Sequence, residues 1–207
     1  MIKIKVFLFI ACIVSVSVNV NAQTIKVENG VSLSKMKSND LDLFTKTFTS
    51  YANKIGVEYF EHKYFYLSSK IGYAKRGGKN KIAYINELGE ITSGNDISES
   101  WNLLSINTTF RVKYAQDKYL FYLGLGPFVD FFIGSKKFSN TTSESYKTKK
   151  NLYGVCPELG VDYMLADKIS IGLNVSSNFS FTPLVKQDNL KLNNNQMNIY
   201  LSIGYKL

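Results

Sequence analysis

The chain predicts an all-β fold: an eight-stranded antiparallel up-and-down transmembrane β-barrel that occupies residues 23–207 as one domain. Three observations carry that prediction. Apolar and polar residues alternate with a period of two through eight separate segments, the pattern of strands with one greasy and one polar face. The clearest segment, Leu152 to Phe181, is a hairpin. Its arms reach the about nine to eleven residues that a tilted strand needs to cross a bilayer, against about five or six for an ordinary globular strand. The connections are short at three places and long at four, the asymmetry expected of a membrane barrel.

The first residues are read as a leader and excluded from the barrel. Met1-Ile2-Lys3-Ile4-Lys5 is basic, Val6 to Val18 is apolar, and Val20-Asn21-Ala22 ends on small residues. This is the order of a secretory signal, with cleavage expected after Ala22. The apolar run falls short of the about twenty residues of a spanning helix. Phe9-Ile10-Ala11 before Cys12 fits a lipoprotein signal poorly. With Cys12 removed, Cys156 is the sole cysteine and no intramolecular disulfide can form. The formal charge of +9 falls by two on cleavage and stays positive. No nucleic-acid-binding motif accompanies that charge, so acidic or phosphorylated surface glycolipids fit it better, beside ordinary solubilising charge.

In order, the first strand spans Thr24 to Ser34, with Ile25, Val27, Val31 and Leu33 opposite Lys26, Glu28, Gly30 and Ser32, and with Asn29 breaking the apolar side. Lys35 to about Phe48 reads as a loop. Tyr51, Ile55, Val57 and Tyr59 mark the second strand, and the tight Glu61-His62-Lys63 connection leads to a third that carries Phe65, Leu67, Ile71 and Tyr73. Lys75 to Ser98 lacks a sustained apolar period and reads as a second long loop, with a small hairpin around Ile82, Tyr84 and Ile85 as an option. The fourth strand begins at Trp101 and Leu103, whose apolar parity switches at Leu104, and a bulge near Leu103 would produce the switch. The fifth, from Tyr119 to Gly134, contains Pro127, which must sit at a lost ladder bond or a bulge. Ser135 to Asn151 is a long basic loop. The hairpin 152–181 supplies the sixth and seventh strands around the turn Ala166-Asp167-Lys168, Thr182 to Asn195 is polar, and Gln196 to Leu207 is the eighth strand.

Pairing the first strand with the last closes the sheet, as lipid requires, because nothing in hydrocarbon satisfies a bare strand edge. Alternation alone leaves the direction of the faces open, since a lipocalin-like carrier puts its apolar face inside. The polar face decides for the membrane reading. It holds Glu58, Lys70, Arg111, Asp130, Glu158 and Asp162 with many glycines, which suits a narrow lumen of paired charges. The apolar face places Tyr59, Tyr73, Tyr114, Tyr119, Tyr163 and Tyr205 near strand ends, where membrane girdles need them. Short turns would then face the periplasm and long loops the exterior.

The segments GVEYFEHKYFYLSSKIGYAKRG, YLFYLGLGPFVDFFIG and ELGVDYMLADKISIGLNV resemble the outer-membrane β-barrel domain family of Bacteroidota, which includes PorT-like small outer-membrane proteins. The resemblance spans nearly the whole mature chain and implies an outer-membrane location. PorT-type members are linked to protein secretion, and no residue motif carries that role onto this chain.

Little in the sequence points to catalysis. His62, the single histidine, falls in a predicted periplasmic turn and has no second histidine with which to build a metal site. Cys156 points into the lumen by parity and reads as a buried small thiol. The six lumen charges read as an internal ion-pair network rather than an acid–base pair, because an eight-stranded barrel is just wide enough for side chains to fill. No catalytic residue, cofactor or metal is therefore expected. The candidate ligand-binding residues are Lys136, Lys137, Lys147, Lys149 and Lys150 in the basic loop. Expected partners are outer-membrane lipid, with lipopolysaccharide and envelope or secretion proteins as further candidates, and no nucleic acid. A component of secretion or envelope assembly and a soluble lipocalin-like carrier are the alternatives.

Overall fold

The computed structural model describes the backbone of residues 22–38, 46–85, 91–136, 151–187 and 190–207, and the side chains of 23–36, 46–80, 98–134, 151–184 and 193–207. Nine strands form one antiparallel sheet: β1 (Ala22–Ser38), β2 (Phe48–Tyr59), β3 (Phe65–Ile85), β4 (Ile91–Gln116), β5 (Tyr119–Lys136), β6 (Asn151–Ala166), β7 (Ile169–Ser180), β8 (Val185–Gln187) and β9 (Leu190–Lys206). Each long strand pairs with its neighbour in the chain, and β1 pairs with β9 from Thr24↔Lys206 to Ser38↔Leu192. That last ladder closes a barrel of eight staves. The three-residue β8 is an appendage paired only with the start of β9. Of the expected leader, residues 1–22, all but Ala22 lie outside the described residues, and Ala22 is the first residue of β1.

The faces point as an apolar solvent demands. Outward-facing Leu173 is 43% exposed and Ile203 63%, whereas inward-facing Glu158 is 3% exposed and Arg111 0%. The same outward exposure recurs around the wall at Val27, Ile55, Ile71, Leu123, Leu159 and Leu201. A continuous band of this size would aggregate in water, and lipid is the medium in which it costs nothing. The arrangement is the inverse of a lipocalin-like carrier. At the short-turn end the band is rimmed by Tyr64, Tyr114, Tyr119 and Tyr205, all exposed, with the Tyr119 and Tyr163 rings 5.0 Å apart.

Three details differ from the sequence reading. Most of Lys75 to Ser98 is strand, because β3 and β4 pair as far as Ile85↔Ile91 and make a hairpin of 21 and 26 residues. That is more than a bilayer crossing needs. The upper hairpin stands outside the apolar band, so no greasy face is required there and no period marks it. Part of 182–195 is likewise strand, in β8 and the start of β9. The irregularity near Leu103 is present, but its extra residue is on the other strand: Asn102 pairs with Gly134 and Leu103 with Phe132, which leaves Ile133 over. β4 therefore keeps its parity, and Trp101 and Leu103 face inward with Ser105 and Asn107, not outward.

Pro127 sits where expected, at a lapse in the β4–β5 ladder between Asn107↔Phe128 and Phe110↔Leu125. Pro157 makes the matching lapse between β6 and β7. Each proline lacks the donor that its neighbour would use.

Candidate functional site

The interior of the barrel is where the ionisable side chains gather. Inward positions on successive strands stack into layers, and the lowest layer, at the short-turn end, is centred on Lys26 of β1. Its ammonium lies 2.8 Å from Glu58 of β2 and 2.6 Å from Asp162 of β6. Above it, the Arg111 guanidinium of β4 donates through Nε to Glu158 at 2.6 Å and through Nη1 to Glu58 at 2.6 Å. It lies 4.2 Å from the centroid of the Tyr122 ring. Lys70 of β3 donates to Glu28 at 2.6 Å and to Glu158 at 3.2 Å. Glu158 is the hub of this layer, since Asn174 also donates to it at 3.3 Å and Thr109 donates to its other oxygen.

Lys54 takes a different partner, its ammonium lying 5.1 Å from the Tyr200 ring centroid. Higher still, Arg76 pairs with Asp130, donates to Ser180 Oγ at 3.0 Å and lies 5.3 Å from the Phe128 ring.

Charge balance explains why such a lumen is tolerable. The buried ionisable groups among the described residues are Lys26, Lys54, Lys70, Arg76 and Arg111 against Glu28, Glu58, Asp130, Glu158 and Asp162, five basic and five acidic. A charge without a partner here would cost several kcal/mol, about the penalty for stranding one in a protein interior. Glycines make room: a Cβ on Gly160 would run into the Tyr122 ring and come 2.7 Å from the Leu173 carbonyl oxygen.

The long-loop end is closed by a different material. Met36, Trp101, Leu103, Leu152 and Leu184 form a buried apolar cluster against which Phe132 packs. With Phe132, four strands and the segment before β8 supply these side chains, so the cluster crosses the interior beside the Arg76–Asp130 pair and above the layers of Arg111 and Lys26.

All six lumen charges expected from the sequence face inward. Glu58, Lys70, Arg111, Glu158 and Asp162 are connected by direct ion pairs or through the shared Lys26. Among the described residues Asp130 is not joined to them; its partner is Arg76, which lies in the stretch that the sequence predicts to be a loop. Lys26, Glu28, Lys54 and Arg76 are further inward members, and the first three share the polar parity of their strands. Cys156 is buried in the lumen as a free thiol. His62 lies in the short β2–β3 turn, its ring stacked 4.9 Å from Phe65. Among the described residues, no group of His, Cys, Asp and Glu is arranged to hold a metal. The side chain of Lys136, and Lys137, Lys147, Lys149 and Lys150 entirely, lie outside the described residues.

With this geometry the chain can be set beside known proteins. No family model matches it, and the curated proteins contain no match. Among solved structures it is similar to the Neisserial surface protein A, at 12% identity and a TM-score of 0.56 over 91% of this chain and 99% of that one. It is also similar to the outer-membrane protein OprG from Pseudomonas aeruginosa, at 15% identity and a TM-score of 0.55 over 90% and 96%. The outer-membrane protease OmpT from Escherichia coli aligns at 8% identity and a TM-score of 0.53 over 91% and 98%. Identities this low carry the fold alone. The fold is that of the small outer-membrane β-barrels. Together with the apolar exterior it places the chain in an outer membrane.

Proposed function

We propose that the protein is a noncatalytic outer-membrane barrel that works through its external surface, its long loops binding a ligand or partner at the cell envelope. The observation that carries this reading is the filled interior. Arg76 and Arg111 are wholly buried, their carboxylate partners occupy the same cross-section, and an apolar cap closes the outer end. A lumen so occupied leaves the outside of the molecule as the surface for function. Within that surface, the last residue of β5 and the segment that follows it concentrate Lys136, Lys137, Lys147, Lys149 and Lys150, an array suited to acidic or phosphorylated ligands such as lipopolysaccharide. Replacing all five with glutamine should weaken binding of purified lipopolysaccharide or of whole cells to the barrel. Unchanged binding would remove the loop from consideration.

A role in secretion or envelope assembly is the second reading, favoured by the resemblance to PorT-type barrels in the segments 56–77, 119–134 and 158–175. Deleting the gene and comparing secreted proteomes tests it. An unaltered secretome would leave it without support.

A further inference from the structure

The lipid-facing wall carries a pair of amides inside the apolar band. Asn29 is exposed midway along the outward side of β1, between Val27 at 44% and Val31 at 46% exposure. The antiparallel register sets it beside half-buried Asn53 of β2 on one side and beside exposed Leu201 of β9 on the other. Towards the short-turn end, Ile55 of β2 and its partner Ile71 of β3 continue the apolar surface. The two amides therefore sit at the depth of acyl chains, not of headgroups.

Both amides are half used. Asn29 Oδ1 accepts from the Tyr51 hydroxyl, and Asn53 Oδ1 accepts from Tyr73 N at 3.3 Å. Among the described residues neither Nδ2 group has an acceptor, and the strand neighbours of both side chains are all described. Nearby hydroxyls differ: Tyr59, Ser69 and Thr108 are linked in a chain at 2.9 Å each and satisfy one another. An amide donor in hydrocarbon costs free energy until an acceptor reaches it, and acyl chains offer none. Each Oδ1 keeps a second lone pair. Asn29 and Asn53 thus present donors and acceptors side by side, and the surface that complements such a pair is the same pair turned round. The side chains around it suit close approach, since Val27, Val31, Ile55, Val57 and Ile71 are all β-branched, short and nearly fixed at χ1. The far wall exposes the longer and freer Leu123, Leu125, Leu159 and Leu173.

We propose that two copies of the chain associate within the membrane through the outward faces of β1 and β2, Asn29 Nδ2 of each copy donating to Asn53 Oδ1 of the other. The contact is isologous, with a two-fold axis between the amide pairs, so it closes at a dimer. With that axis along the membrane normal, the long loops of both copies face the same side. The inference rests on the membrane placement of the barrel and is independent of any ligand of its loops.

The test reconstitutes the full chain in phosphatidylcholine vesicles. Cys12→Ser/Cys156→Ser/Lys168→Cys leaves one thiol, at the exposed β6–β7 turn, and barrels labelled there with donor or acceptor dye are mixed. Energy transfer measured as lipid dilutes the protein gives the dimer dissociation constant, and heat-modifiable gel mobility verifies that every variant is folded. Adding Asn29→Val/Asn53→Val should raise that constant by on the order of tenfold. Asn29→Val or Asn53→Val alone should raise it as much as both together, because each removes the donor or the acceptor from both reciprocal bonds. Ser177→Val, at an outward position of β7 on the far wall, should leave it unchanged. Transfer no greater than random mixing gives in the unsubstituted wall, valine variants that associate as tightly, or an equal effect of Ser177→Val would overturn the proposal.

Discussion

Arg111 is the side chain whose removal most directly tests the account of the lumen. It is wholly buried and joins two carboxylates from different strands, Glu58 and Glu158, at 2.6 Å each. Arg111→Met leaves five buried carboxylates against four cations. Glu158 keeps Lys70 at 3.2 Å and Glu58 keeps Lys26 at 2.8 Å, so neither is wholly stranded, but the layer carries an uncompensated negative charge. Breaking a buried pair from one side typically costs about 3–5 kcal/mol, and that is the expected loss in folding free energy. The double variant Arg111→Met/Glu158→Gln restores the balance and should be less destabilised than the single one, by about 1–3 kcal/mol. Urea titration of the barrel in lipid vesicles measures both. Trp101, the single tryptophan of the chain, lies in the apolar cap at 3% exposure and reports folding by its emission. A single variant within about 0.5 kcal/mol of wild type, or a double variant as unstable as the sum of its singles, would refute the reasoning.

Three other outcomes follow from the same geometry. Leu173→Arg places a cation on the lipid-facing wall opposite Leu201 and should cost about 2–4 kcal/mol in the same titration, whereas in detergent its effect should shrink. Gly160→Val forces the Tyr122 ring away from its place beside Arg111 and Asn174. It should destabilise the barrel by about 1–3 kcal/mol, and a near-neutral result would mean that the lumen has slack. In planar bilayers the wild type should show no discrete conductance steps, and Trp101→Ala/Leu103→Ala should remain closed because the Arg76–Asp130 pair beside the cap and the network below it persist. Steady channels in the wild type would contradict a filled interior.

The barrel itself was legible because the bilayer writes a strong pattern into its strands. Where a strand crosses lipid, every second side chain must be apolar, as at Ile169, Ile171 and Leu173 of β7, and the opposite face must be small or polar. Outside the band that demand stops. The upper β3–β4 hairpin stays paired to Ile85↔Ile91, with one register shift between Lys81 and Ala83, yet Lys79, Asn80, Ser98 and Glu99 show no alternation because neither face meets hydrocarbon. The hydrogen bonds that hold it are main-chain ones, which side-chain periodicity does not report.

Charges and cap separate along the same line. That Glu58, Lys70 and Glu158 face inward follows from parity, but which charges meet does not. Lys26 and Asp162 are 136 residues apart in sequence, and their pairing depends on the stagger of a closed sheet. The cap inverts the parity rule altogether. Trp101 and Leu103 are apolar on the face that is charged ten residues later at Arg111, so a reader of alternation must assign them to lipid. In the barrel the extra residue falls on β5 at Ile133, β4 keeps its parity, and these two side chains meet Leu152 and Leu184 across the lumen. An apolar plug needs no ion partner, and it is built where the lumen meets external water. It packs beside Arg76 and Asp130, the cross-strand neighbours of Trp101 and Leu152, so their pairing is not weakened by solvent screening. Local disagreement with the alternation rule is therefore itself a signal in such barrels: an inward apolar cluster at a strand end marks where the interior is sealed.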